Sequence, residues 1–174
     1  MTPHATIAID DTLLLQVAEL GDALRARGWR MATAESCTGG LLAGTCTAPA
    51  GASDWFDAGF VTYANNAKIG LLGVPDALIV AHGAVSAEVA DAMARGALAH
   101  AQVQLALSIT GIAGPGGGSA AKPVGTVWLG LAWMQRGAVA SGTECLRLDG
   151  DRAAIRAQAV AIALQRLVAA ARAS

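Results

Sequence analysis

Lysine is almost missing from this chain. Of 174 residues only Lys68 and Lys122 are lysines, and arginine supplies the rest of the 12 basic side chains. Charge is sparse altogether, at 14% of residues against 54% hydrophobic, which excludes a disordered or fibrous protein. The basic residues are scattered and the formal net charge is -1, so the chain offers no patch for a nucleic-acid backbone or an anionic membrane surface. A small-molecule partner is expected instead. The cysteines, Cys37, Cys46 and Cys145, are odd in number and lack paired spacing, which argues against a disulfide framework or a structural zinc site. His4, His82 and His100 stand far apart with no His-Glu or His-x-x-x-His pattern, so neither a metal nor another cofactor is expected. No apolar run approaches the roughly 18 residues of a membrane span, and Met1–Asp11 has neither a basic start nor an apolar core. These absences predict a cytoplasmic protein with reduced thiols. Without a repeat, linker or low-complexity tail, residues 1–174 are expected to form one compact domain.

What is present is a strong alternation of helix and strand signals. Leu14, Val17, Leu20 and Leu24 recur at helical period across Asp11–Arg27, and Gly28 supplies a stop. A short strand is predicted over Trp29–Ala34, followed by a glycine-containing helix over Ser36–Thr47. Trp55–Tyr63 alternates as a strand with both faces partly buried. Asn65 or Asn66 can cap a helix through Leu72, which Gly73-Val74-Pro75 ends, and Ser86 with Glu88 starts another that runs to about Ala101. Val103–Ile109, Thr126–Trp133 and Ala138–Leu146 are strand candidates, the last two forming a hairpin across Gln135-Arg136-Gly137. Asp149-Gly150-Asp151 introduces a final helix with an apolar stripe at Val160, Leu164, Leu167, Val168 and Ala171. The order predicts an α/β sandwich with a mixed, mostly parallel sheet and a late antiparallel hairpin.

Two glycine-rich segments each follow an apolar strand candidate: Thr33-Ala34-Glu35-Ser36-Cys37-Thr38-Gly39-Gly40, and Thr110-Gly111-Ile112-Ala113-Gly114-Pro115-Gly116-Gly117-Gly118. Ser36 at a strand-to-helix junction is either a nucleophile with backbone amides beside it or simply a helix cap. Cys37 is a rival nucleophile, though no histidine is tied to it. Lys68 is either an exposed solubilising residue or, in the first turn of a helix capped by Asn65, a lysine whose pKa the helix dipole lowers enough for general-base work. Tyr63, the only tyrosine, either shares that pocket through its hydroxyl or packs as an amphipathic ring. The second glycine segment is either a wall of backbone amides for an anion or a flexible connection. Arg152 and Arg156 share a helix face, with Arg147 just upstream, and suit either a phosphate or a solvated or intersubunit salt-bridging face.

Taken together the motifs resemble the CinA C-terminal domain family, whose active members are nicotinamide-nucleotide amidohydrolases. The resemblance rests on Thr33–Gly40, Val61–Lys68, Gly83–Ser86, Thr110–Gly118, Lys122-Pro-Val-Gly-Thr-Val127 and Gly150–Arg152, in that order along almost the whole chain. It implies a three-layer sandwich, commonly a homodimer or larger oligomer, that deamidates nicotinamide mononucleotide without a metal. Carried over by position, it implies Ser36 as nucleophile, Lys68 as base and Tyr63 as their assistant. Cys37, Thr38, Gly39, Thr110, Gly111, Gly114, Gly116 and Arg152 are the implied substrate-binding residues. Some relatives carry a large N-terminal domain associated with pyrophosphatase activity, which is not expected here. Two other readings stand beside the enzyme: a catalytically silent competence- or damage-related interaction module, and an amidase for another small amide.

Overall fold

The computed structural model describes residues 9–173, so His4 and most of the Met1–Asp11 segment considered above lie outside the described residues. The elements run α1 (Asp11–Arg27), β1 (Met31–Glu35), α2 (Leu41–Cys46), a 3-10 turn (Ala52–Asp54), β2 (Phe56–Val61), α3 (Asn65–Leu72), α4 (Asp76–His82) and α5 (Ala87–Ala101). They continue through β3 (Leu105–Gly111), β4 (Thr126–Gln135), β5 (Ala138–Arg147) and α6 (Arg152–Arg172).

The five strands form one sheet in the order β2-β1-β3-β4-β5. β1 pairs in parallel with β2 and β3, while β3–β4 and β4–β5 are antiparallel. Four strands therefore point one way, with β4 alone reversed. β1 sits between β2, reached through α2, and β3, reached through α3 to α5. The chain leaves β1 across one face of the sheet and returns to β3 across the other. Such a switch point opens a crevice beyond the carboxyl ends of the strands.

Alternation along the strands divides the core in two. Met31, Leu105, Leu107, Ile109, Val127 and Leu129 face α1, α2 and α6, meeting Leu20, Leu24, Leu42, Leu164 and Leu167. Ala32, Ala34, Ala106 and Ala132 face the other way, against Leu72, Ile79, Val89, Met93 and Ala97 of α3 to α5. Alanines on that face let α5 lie close. Gly130 shows how close, since a Cβ built there would stand 2.2 Å from the Ala90 carbonyl oxygen.

Helix ends follow local chemistry. Asp10, Ser86 and Asp151 each accept an amide of the first turn they cap, and Gly28 closes α1 in the left-handed region. The hairpin turn places Arg136 and Gly137 at φ 50° and 80°, the conformation a two-residue turn between twisted strands requires. Several expectations need correction. α2 begins at Leu41 rather than Ser36, because Gly39 and Gly40 both take positive φ and hold the intervening loop out of helix. Ala64, not Asn65, occupies the cap position of α3, and it makes no side-chain cap. β2 is an edge strand whose Asp57, Gly59 and Val61 are exposed, so only one side of its alternation is half-buried. α4 is an additional helix, with Pro75 preceding it as its cap residue. α6 is long and apolar enough to cross a bilayer by length and composition, contrary to the run-length reading. Its apolar side, including Ile155, Ala159, Val160, Leu164 and Leu167, is instead packed into the core.

Candidate active site

Ser36 directly follows β1, and its amide donates to the Ile109 carbonyl of neighbouring β3 at 2.9 Å. This bond fixes the residue at the switch point. The loop beyond it is then held by Glu35, the last residue of β1, which is 1% exposed. Its carboxylate accepts the amides of Ala43 at 2.8 Å, Leu42 at 3.0 Å and Gly40 at 3.1 Å. An anion against the first amides of α2 is favoured by charge-assisted hydrogen bonding and by the helix dipole. Those amides are consequently spent. Gly39 donates to the Ser36 carbonyl, whereas among the described residues the Cys37 and Thr38 amides donate to no backbone carbonyl.

Lys68 arrives from α3 and is 1% exposed, which removes the solubilising alternative. Its Nζ lies 3.1 Å from Ser36 Oγ, 3.0 Å from the Thr62 carbonyl oxygen and 3.2 Å from the Tyr63 carbonyl oxygen. Carbonyls can only accept, so two N–H bonds are committed to them and the third tetrahedral position faces the serine. In the ammonium that position holds a third N–H; in the neutral amine it holds the lone pair. Burial lowers the Lys68 pKa from its ordinary value, favouring the neutral form, while the nearby Cys37 sulfur acts in the opposite direction. The cause is desolvation. The helix-dipole argument gave the right direction for a different reason, since Lys68 is the fourth residue of α3 rather than a residue counted from an Asn65 cap.

A cleft of about 270 Å³ opens over this pair. Ser36, Cys37, Tyr63, Lys68, Thr110, Gly111, Gly114, Gly116 and Arg152 all line it. Thr38 and Gly39 do not: Thr38 is fully buried, its carbonyl taking a bond from Arg156 at 3.2 Å, and the Gly39 amide is occupied as above. Asn65, Ala84, Val85, Ile112, Ala113 and Gly117 are lining residues that the site reading omitted. Glu35 was also missed, although a glutamate at a strand end five residues before Gly40 is a legible capping signal. A larger cavity, about 640 Å³, lies beside Trp29 and Trp133, but it holds no serine, cysteine or lysine. Chemistry, rather than volume, singles out the smaller one.

Tyr63 is 60% exposed, and its hydroxyl reaches Arg152 at 3.0 Å; it is the tyrosine's carbonyl that touches Lys68. Arg152 also donates to the Gly114 carbonyl at 3.0 Å. Arg152 and Arg156 both meet neutral acceptors in the cleft region, and neither is paired with a carboxylate among the described residues. Thr110 is spent on structure, donating to the Ala84 carbonyl at 2.8 Å and so tying β3 to the α4–α5 connection. Burial raises the Cys37 thiol to about 11, so it stays protonated near neutral pH. His82 Nδ1 lies 3.4 Å from Glu88, and His100 Nδ1 lies 2.8 Å from the Gly96 carbonyl oxygen, both away from the cleft lining.

Known proteins are similar to this chain over most of its length. The nicotinamide-nucleotide amidohydrolase PncC of Escherichia coli K12 is 52% identical over 158 residues, covering 90% of this chain and 94% of that protein. A CinA-like protein of Syntrophobacter fumaroxidans is 53% identical over 145 residues, but these make up only 33% of that longer protein. The crystal structure of the competence/damage inducible protein CihA from Agrobacterium tumefaciens superposes with a TM-score of 0.85 at 42% identity, covering 92% of this chain and 96% of the other. The CinA C-terminal domain model matches residues 15–171, a span that includes every cleft residue named above, and the chain belongs to that family.

Proposed function

We propose that the protein deamidates nicotinamide mononucleotide to nicotinic acid mononucleotide and ammonia, with Ser36 as nucleophile and Lys68 as general base. The observation that carries this reading is the buried 3.1 Å contact between Lys68 Nζ and Ser36 Oγ. The name of the E. coli relative supplies the substrate class.

In the first half-reaction neutral Lys68 takes the Ser36 hydroxyl proton as Oγ bonds to the carboxamide carbon. The resulting oxyanion is met by the amide of cleft-lining Cys37, which among the described residues donates to no backbone carbonyl. Collapse breaks the carbon–nitrogen bond, and the Lys68 ammonium returns its proton so that ammonia departs. In the second half-reaction Lys68 takes a proton from water as the water oxygen attacks the acyl ester. The ester bond then breaks as the Lys68 ammonium returns its proton to Ser36, and the carboxylic acid product loses its own proton to solvent and leaves as a carboxylate. The Thr62 and Tyr63 carbonyls hold the amine in register through both halves.

Arg152 is the residue proposed to meet the phosphate, because its guanidinium lines the cleft and, among the described residues, is occupied only by a tyrosine hydroxyl and a backbone carbonyl. A phosphate is a stronger acceptor than either. The backbone of the second glycine segment forms the opposite wall, and binding the remote phosphate there holds the amide at the serine. The test is ammonia release from nicotinamide mononucleotide, with nicotinamide and its riboside as controls. Turnover of the mononucleotide alone, abolished in a folded Ser36→Ala variant, is the expected result. A Ser36→Ala protein that turns over at the wild-type rate would rule the mechanism out, and a folded wild type inert on all three compounds would favour the interaction module.

A further inference from the structure

Lys122, the second of the two lysines, lies in the connection between β3 and β4 and takes no part in the chemistry above. Its Nζ donates to the His82 carbonyl oxygen at 2.7 Å, a carbonyl at the end of α4 that has no helical partner. Gly83 makes room for the ammonium: it has φ +77°, and a Cβ built on it would lie 3.3 Å from Nζ. At the other end, Lys122 is held in a tight turn, its amide donating to Ser119 Oγ at 3.1 Å and its carbonyl accepting from the Ser119 amide at 2.9 Å.

The two segments joined in this way both line the cleft. Gly114, Gly116 and Gly117 come from the loop that Lys122 ends, and Ala84 and Val85 directly follow the carbonyl it grips. The Ala84 side is already tied inward, by Thr110 to the Ala84 carbonyl at 2.8 Å and by Ser86 to the Gly83 carbonyl at 2.8 Å. Among the described residues the glycine loop has no comparable side-chain anchor beyond the Arg152 bond to Gly114. Glycine-rich backbone loses the most conformational freedom on ordering, so an anchor at its far end has the largest effect on how often the loop is in place.

We propose that Lys122 is a positioning residue that straps the glycine loop to the α4–α5 connection and thereby sets the width of the substrate cleft. The inference rests on the proposed mononucleotide amidohydrolase activity. The strap touches neither Ser36 nor Lys68, so its loss should weaken binding in ground and transition state alike, raising KM and leaving kcat almost unchanged.

Steady-state ammonia release from nicotinamide mononucleotide by wild type, Lys122→Met and Lys122→Arg tests this. A partly exposed charge-assisted bond predicts a KM increase of about three- to tenfold for Lys122→Met, with kcat within about twofold. Lys122→Arg, which keeps a donor for the His82 carbonyl, should recover KM to within about twofold of wild type. Lys122→Leu replaces the methionine variant if that protein does not fold, with the same outcomes. A KM that stays at the wild-type value, or a kcat that falls as far as KM rises, overturns the strap. An inert wild type would sink the proposed activity and the strap with it, whereas an active wild type with an unmoved KM in the variant sinks the strap alone.

Discussion

Replacing Lys68 by methionine keeps an apolar stem of similar length and deletes the amine, so it separates chemistry from folding. A positioned general base contributes about 10²- to 10⁴-fold, equivalent to about 2.7–5.5 kcal/mol of transition-state stabilisation. Folding should respond much less. The Thr62 carbonyl loses its 3.0 Å donor, a cost of about 1–3 kcal/mol for a buried acceptor, but the fold no longer has to desolvate an amine that is 1% exposed. The two changes oppose each other. The measurement is kcat/KM for ammonia release alongside a thermal melt of the same preparations. Activity down by at least a hundredfold with Tm within about 5 °C is expected for a net stability change near 1 kcal/mol. A variant that keeps more than a tenth of wild-type kcat/KM would refute the assignment of Lys68 as base. A pH profile adds the sign: the neutral amine is the active form, so kcat/KM should rise with pH through the pKa of Lys68. Because burial lowers that pKa, the rise should fall below the ordinary lysine value of about 10.4. Lys68→Arg, fixed as a cation, should be inactive throughout.

Stability has its own pH signature at the same residue. With the folded pKa below the unfolded one, the unfolded chain binds more protons between the two values, so stability should rise with pH across that window and level off above about 10.4, a slope missing from Lys68→Met in denaturant titrations. Cys37→Ala should keep activity within about tenfold, since a thiol pushed up to about 11 is not the attacking group, and iodoacetamide at pH 7 should label exposed Cys145 far faster than Cys37; loss of activity on the scale of Ser36→Ala would contradict this. Glu35→Gln places an amide nitrogen where three backbone amides now converge, so about 2 kcal/mol of stability should be lost, seen as a Tm roughly 4–8 °C lower. Gly130→Ala drives a Cβ to 2.2 Å from the Ala90 carbonyl oxygen and should cost at least about 3 kcal/mol; an unchanged melt would mean that α5 packs further from the sheet than described.

Long periodic elements with chemical stops were legible before the fold was seen. α1 coincides with Asp11–Arg27 because Gly28 ends it in a conformation other residues avoid, and the Gln135-Arg136-Gly137 turn announced the β4–β5 pair. α4 was not legible. Its seven residues are too few to display a helical period, and Pro75 reads as a terminator of α3 when it also precedes a new helix. The start of α2 was misplaced by five residues because a serine after a strand looks like a cap, whereas the residue that holds those amides is Glu35, reaching forward from the strand. Sequence proximity hid that role: capping is expected from the residue just before a helix, and here it comes from six positions earlier than Leu41.

The cleft residues were legible as types but not as neighbours. Ser36, Tyr63, Thr110 and Arg152 belong to connections after β1, after β2, at the end of β3 and at the start of α6, and only the strand order explains why they meet. All of those connections lie at one edge because β1, β2, β3 and β5 point the same way. The scarcity of lysine was the signal that survived without topology. Both lysines end with Nζ on backbone carbonyls, which makes their surroundings alike in hydrogen bonding and different in consequence. At Lys122 the amine is half-buried at the surface and joins two segments. At Lys68 the same kind of grip is buried and a serine hydroxyl occupies the remaining direction, so losing the charge creates a base aimed at a nucleophile. Desolvation and one additional neighbour distinguish the reactive lysine from the structural one.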